Sequence, residues 1–243
     1  MKSRPDLLLL LSLIAVILLH PVLDHGDVRR MILGGLIFLP VVVSTIRLSQ
    51  IKRWLWSSLL LGGGILIFTI ANEMSPNPLI ASIKWGLLAV YFGLTVVGLF
   101  SYLKNAHSIT ASHLYTAISI YLLIALLWFA LYCLGSSLYP ESIASSQGAF
   151  ADRQSELLYF SLVTLTTLGY GDIVAVYSEV RMLAALEAVT GVLYVAITIA
   201  ILVSSYRWQS PGSDSGAPPD LPALGKVESD SREHIRTARE NIG

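Results

Sequence analysis

Charge is what this sequence has least of. Lysine, arginine, aspartate and glutamate make up 13% of its 243 residues, against 54% hydrophobic ones, and the mean hydropathy is +0.68. A soluble domain carries about 25% charged residues, so the composition excludes one and indicates an integral membrane protein. Sixteen basic side chains are balanced by sixteen acidic ones, which leaves no net field to hold a nucleic acid or another polyanion. Cysteine is almost missing: Cys133 stands alone inside an apolar run, which excludes an intrachain disulfide and leaves packing as its role. The chain has no internal repeat and no pair of carboxylates or histidines within its apolar segments suited to catalysis. Neither an enzyme nor a cofactor is expected.

Long hydrophobic runs are plentiful instead. A spanning helix needs about 20 mainly apolar residues, and six runs qualify: about 7–23, 31–48, 55–72, 79–103, 114–134 and 182–205. The gaps between the first five are short and polar, as helix hairpins require. With a cytoplasmic amino terminus, Lys2, Arg4, Arg47, Lys52, Arg53, Lys104 and Arg207 all fall on the cytoplasmic side, in keeping with the positive-inside rule. Arg29 and Arg30 would face outward, beside Asp24 and Asp27. Both termini are then cytoplasmic. "MKSRPD" and the leucines after it also look like a signal peptide, but "HPVLDHG" offers no small-x-small cleavage site, so a retained first helix is favoured. From Gln209 the chain turns rich in Pro, Gly and Ser, a flexible linker in which only Glu228 to Asn241 could form a short charged helix.

The long gap between the fifth and sixth spans holds a different kind of sequence. "SELLYFSLVTLTT", Ser155 to Thr167, is apolar but only about 12 residues long, too short to cross, and it runs into "LGYGD", Leu168 to Asp172. Irregular backbone at membrane depth survives only inside protein or along a water-filled path, since each unpaired peptide group costs several kcal/mol in lipid. A half-length helix followed by an extended glycine-bearing strand is therefore expected to form a re-entrant loop lining a cavity. Positive φ comes at little cost at Gly169 and Gly171. The carbonyl end of the short helix should favour a cation beneath the strand.

The run Thr164-Leu165-Thr166-Thr167-Leu168-Gly169-Tyr170-Gly171-Asp172 closely resembles the selectivity filter of potassium channels, differing from the usual Thr-Val-Gly-Tyr-Gly-Asp by Leu168 in place of valine. The resemblance implies K⁺ coordination by the Thr167 carbonyl and hydroxyl and the carbonyls of Leu168, Gly169 and Tyr170, with Gly171 completing the filter. Thr166 supports it, the Tyr170 ring packs behind it, and Asp172 sits at the outer mouth. Some family members carry a glutamate at the position of Val163 that clamps this aspartate, and here it is absent. K⁺ is the permeant ion. Gly191, twenty residues beyond Gly171, sits where the family's pore-lining helix often has a hinge glycine; close helix packing is the other reading. Glu187 lies one turn earlier within the sixth span. It reads either as a hydrogen-bonded structural carboxyl or as a group tuning the filter. Glu141, Asp152, Glu156, Asp172 and Glu179 outnumber Arg153 and Arg181 around the mouth, which would gather cations there.

The resemblance covers about 114–205 and does not reach the first four spans; with the six apolar runs it gives an all-α membrane protein of six transmembrane helices, with a re-entrant pore helix and selectivity filter between spans five and six, and implies a homotetramer, since one filter strand cannot encircle an ion. Residues 1–106 are then a four-helix peripheral domain, 107–208 the ion-conduction domain and 209–243 a flexible cytoplasmic tail. The fourth span carries Lys84 alone. One charge crossing the field is worth about 2.3 kcal/mol per 100 mV, so steep voltage gating is not expected. Packing explains "LGGG" at Leu61 to Gly64 and the pair Gly34 and Gly35, and interfacial placement explains Trp54, Trp56 and Trp208. Asp24, His25 and Asp27 read as a polar turn or a weak metal site, and His107 and His113 as a solvated linker or a pH sensor. The whole reads as a multi-pass K⁺ channel of a cell membrane, most like a prokaryotic member, with lipids and a gating ligand of unknown kind as its partners. The alternatives are a weakly selective monovalent cation channel or a non-conducting regulatory subunit.

Overall fold

In the computed structural model, residues 4–20, 43, 52–104, 111–146, 148 and 153–207 are described. Apart from Val43, the expected second span at 31–48 lies outside the described residues, as do Lys2, the Asp24, His25 and Asp27 turn with Arg29 and Arg30, His107, Asp152, Trp208 and the tail. The chain divides into two compact units, Met1–Tyr206 and Arg207–Gly243, and only Arg207 of the second is described.

Helix α1 covers Arg4–Leu19, α2 Lys52–Met74, α3 Pro78–Lys104 and α4 Ala111–Leu138. The start of α3 is written into the sequence. Asn77 caps it, its Oδ1 accepting from the Leu79 amide at 2.9 Å, and Pro78 takes the first helical position, where no amide is needed. Hydroxyls within these apolar helices are satisfied by the preceding turn: Thr69 donates to Ile65 O at 2.7 Å, Thr95 to Tyr91 O at 2.9 Å and Ser119 to Tyr115 O at 2.8 Å. That local bonding lets a polar side chain sit where no water reaches it.

Helix α4 is the hub, packing against α1 and α3 and against the short helix after it. Its Ile120, Leu123, Ala125 and Ala130 are fully enclosed. Phe129 collects three elements: the Trp85 ring of α3 meets it edge-on with centroids 5.5 Å apart, and the His20 ring just past α1 does so at 5.8 Å. At the opposite end Ser112 of α4 donates to the buried Asp6 carboxylate of α1, and His113 stacks on Tyr102 with centroids 5.5 Å apart. A Cβ built on Gly64 of α2 would meet the Leu87 side chain of α3 at 3.5 Å, an ordinary contact, and one on Gly63 would meet nothing within 4 Å, so within one copy neither glycine is required by a close helix approach.

The remaining elements are strand β1 (Ile143–Ser145), helix α5 (Arg153–Leu165), strand β2 (Ile173–Ala175) and helix α6 (Ser178–Arg207). The two strands are an addition to the all-helical expectation. They pair antiparallel, with Ile143 opposite Ala175 and Ser145 opposite Ile173. Peptide groups in a polar loop need partners, and these two three-residue pieces supply each other's. Among the described residues, three helices are long and apolar enough to cross a membrane, Pro78–Lys104, Ala111–Leu138 and Ser178–Val203, while Asp6–Leu19 and Leu60–Met74 are shorter apolar stretches.

Candidate functional site

The short helix forms where the sequence predicts, over the 13 residues Arg153–Leu165. Its Leu157, Leu158, Phe160, Ser161, Val163 and Leu165 are buried, and this stripe seats it on α4. Its end is closed by two backbone bonds: the Thr167 amide donates to Thr164 O at 2.9 Å and the Leu168 amide to Val163 O at 2.9 Å. This crossed pair is the Schellman closure, which puts the residue at Thr167 in the left-handed region. Thr167 accordingly has φ of 59°. Glycine is the usual occupant there, and a β-branched side chain costs about 1–2 kcal/mol. The Thr166 hydroxyl donates to Leu162 O at 2.7 Å.

From this closure every second residue is left-handed. Thr167, Gly169 and Gly171 have φ of 59°, 53° and 80°, and Leu168 and Tyr170 between them do not. Successive carbonyls of a β-strand point to opposite sides, whereas alternating hands gather the amides of consecutive residues on one side, as in anion-binding nests, and so present the carbonyls together on the other. The stretch ends on a fixed point: Asp172 O accepts from the Ser146 amide at 2.7 Å, and the Val176 amide donates to Ser142 O at 2.8 Å, extending the β1–β2 ladder past both its ends.

The Asp172 side chain accepts from the Ile173 amide at 3.1 Å and is hydrogen-bonded to the Tyr159 hydroxyl of α5. Nothing in the residues around Tyr159 marks it for this contact, and Val163 at the expected clamp position is a buried apolar residue. Tyr170 departs from expectation within the single chain: its side chain is 66% exposed, and Leu168 is 55% exposed. Of the residues expected around the mouth, Glu141, Glu179 and Arg181 are exposed. Glu156 instead has one carboxylate oxygen enclosed, and Arg153 is turned toward the Ser136 hydroxyl, to which it donates at 2.7 Å.

Helix α6 meets this site at two points. A Cβ built on Gly191 would lie 2.0 Å from the Leu165 carbonyl oxygen, so only glycine allows α6 to pass the end of α5 this closely. One turn earlier Glu187 is 0% exposed. Its carboxyl accepts from the Tyr132 hydroxyl of α4 at 2.6 Å and lies 2.6 Å from the Ser161 hydroxyl of α5, which also reaches Ala125 O at 2.8 Å. Ser161 has one proton for two acceptors. Three helices are thus joined behind the strand by one carboxyl. Below the strand, Tyr121, Thr166, Thr167, Gly191, Val192 and Val195 line a recess of about 360 Å³.

Residues 109–207 match the family model described as "Ion channel". The chain is 29% identical over 87 residues to "Potassium voltage-gated channel subfamily A member 5" of Mus musculus, Oryctolagus cuniculus and Homo sapiens. The match covers 36% of this chain and 14% of each relative, so the chain is similar to a small part of those proteins. No solved structure matches.

Proposed function

We propose, from the match of residues 109–207 to an ion channel family and their partial likeness to potassium channels, that this membrane protein is a K⁺-selective channel in which four copies set their Thr167–Gly171 strands around one axis. The observation that carries this reading is the alternation of hand at Thr167, Gly169 and Gly171. A dehydrating cation needs a stack of oxygens that replace its water without binding it by full charge, and carbonyls of Thr167, Leu168, Gly169 and Tyr170 presented on one side supply them. Asp172, held by Tyr159, brings a negative charge to the outer mouth. The α5 carbonyl end and the recess below serve a hydrated ion at the inner side.

In this reading α5 and its strand enter and leave from one face, and the chain spans six times with both termini cytoplasmic. One strand gives one quarter of a ring. The exposed Tyr170 and Leu168 side chains, with Met182, Leu186, Val189 and Leu193 of α6, suit burial against neighbouring copies. Glu187 joins α6 to α5 and couples inner-helix movement to the filter, with Gly191 at the contact point. Lys84 is the one charge of α3 outside its terminal Lys104, so opening should depend weakly on voltage, in contrast to the voltage-gated channels that the chain partly resembles.

Reversal potential under bi-ionic K⁺ and Na⁺, with purified protein in planar bilayers, tests the proposal. A strongly K⁺-selective potential is expected. A value near zero would mean a non-discriminating cation pore, and no current under any gradient would point to a regulatory subunit.

A further inference from the structure

A second polar enclosure lies away from the ion path, at the end of the bundle that carries Asp172. It has a volume of about 200 Å³ and sits where the end of α2, the beginning of α3, the end of α4 and the first turn of α5 converge. Lys84 and Arg153 line it, with Asn72, Ser136, Ser137 and Gln154, while Trp85 and Leu157 form its apolar wall. No carboxylate is among the described residues lining it. Glu73, exposed at the end of α2, is the acidic group whose charge reaches Lys84.

A lysine within an apolar span is costly unless it has a use. The Lys84 ammonium is held 4.3 Å from the centroid of the Trp85 ring, whose other contact is Phe129 of α4. Arg153 is fixed by Ser136 and by Pro140 O, and it opens α5, where the helix dipole presents its positive end. Two cations, a helix start and neutral amides converging on one small space describe a receptor for an anion. Drug-sized ligands fill about 300–1,000 Å³, so this space suits a phosphate with little more than a glycerol attached.

We propose that this enclosure binds the phosphate group of an anionic phospholipid from the leaflet on the filter-mouth side, bridging α3 to the start of α5. Lys84 stands six residues, about 9 Å, in from Pro78, a depth from which a lysine stem reaches the headgroup layer. Leu79 and Ile83 beside it are exposed, ready to carry acyl chains. The lipid would thereby set the position of the helix that ends in the filter.

The test is thermal unfolding of the purified full-length protein in neutral detergent, titrated with phosphatidylglycerol, with phosphatidylcholine or with inorganic phosphate. Wild type should be stabilised by phosphatidylglycerol at concentrations where phosphatidylcholine has no effect. Lys84→Met should need about tenfold more, the worth of one charge-assisted hydrogen bond, and Lys84→Arg should respond as wild type does. Lys84→Gln gives the same reading should the methionine variant not fold. Stabilisation by inorganic phosphate alone, lost in the same variants, would assign the site to a free anion and overturn the lipid. Equal responses of wild type and Lys84→Met would overturn the site itself.

Discussion

Thr167 is held in a backbone conformation that glycine would adopt more readily, and the Schellman closure of α5 explains how it is held there. Strain at a position carrying a hydroxyl and a carbonyl toward the recess is the kind retained for a purpose. Thr167→Gly is expected to make the fold about 1 kcal/mol more stable while abolishing K⁺-selective flux. Thermal unfolding measured beside ⁸⁶Rb⁺ uptake into vesicles checks both, and a destabilised variant would end the strain account. Glu187 allows a second test. Glu187→Ala leaves the buried Tyr132 hydroxyl without its acceptor, at a cost of about 1–3 kcal/mol, while Ser161 can still donate to Ala125 O. Glu187→Gln, which offers an acceptor to Tyr132 and a donor to Ser161, should restore nearly all of it, and comparing the two melting temperatures shows whether the network is real. The candidate filter residues stand out in the sequence because their chemistry is local: glycines, threonines and a tyrosine within ten positions. Tyr132 and Ser161 were not, because they meet Glu187 from 55 and 26 residues away, and nothing in their own surroundings marks them.

At the scale of elements, hydropathy located the helices well. The expected fourth span at 79–103 is Pro78–Lys104, and the expected pore helix differs from Arg153–Leu165 by about one turn at most. The β1–β2 ladder escaped, since three-residue strands carry no periodicity and pair across 30 residues of intervening chain. Spacing alone left Gly191 between hinge and close contact, and the structure adds the contact. Gly191→Ala must push α6 off the Leu165 carbonyl, so it should cost about 1–3 kcal/mol, as overpacking does. Gly86→Ala on α3 is the control, because a Cβ there meets nothing within 4 Å. A purely hinge-like Gly191 would instead leave unfolding unchanged and alter only open probability in single-channel records.

For the whole molecule, one copy leaves much of its best hydrophobic surface unused. In the span Ser178–Val203 of α6, 17% of the most apolar window is buried, against 61% for α4, although both are equally suited to lipid by composition. The contrast fits a helix that meets neighbours on more than one side. Light scattering of the purified protein, corrected for detergent, should give four copies per particle, and a monodisperse monomer or dimer would remove the ring. The stretch from Leu168 to Asp172 is tied at both ends by backbone, to Val163 O on one side and to the Ser146 amide on the other. It therefore behaves like a string tuned between two pegs that belong to the same chain. Its pitch is set by residue count, so one residue added or removed between the pegs would detune every site along it at once, whatever side chain were chosen.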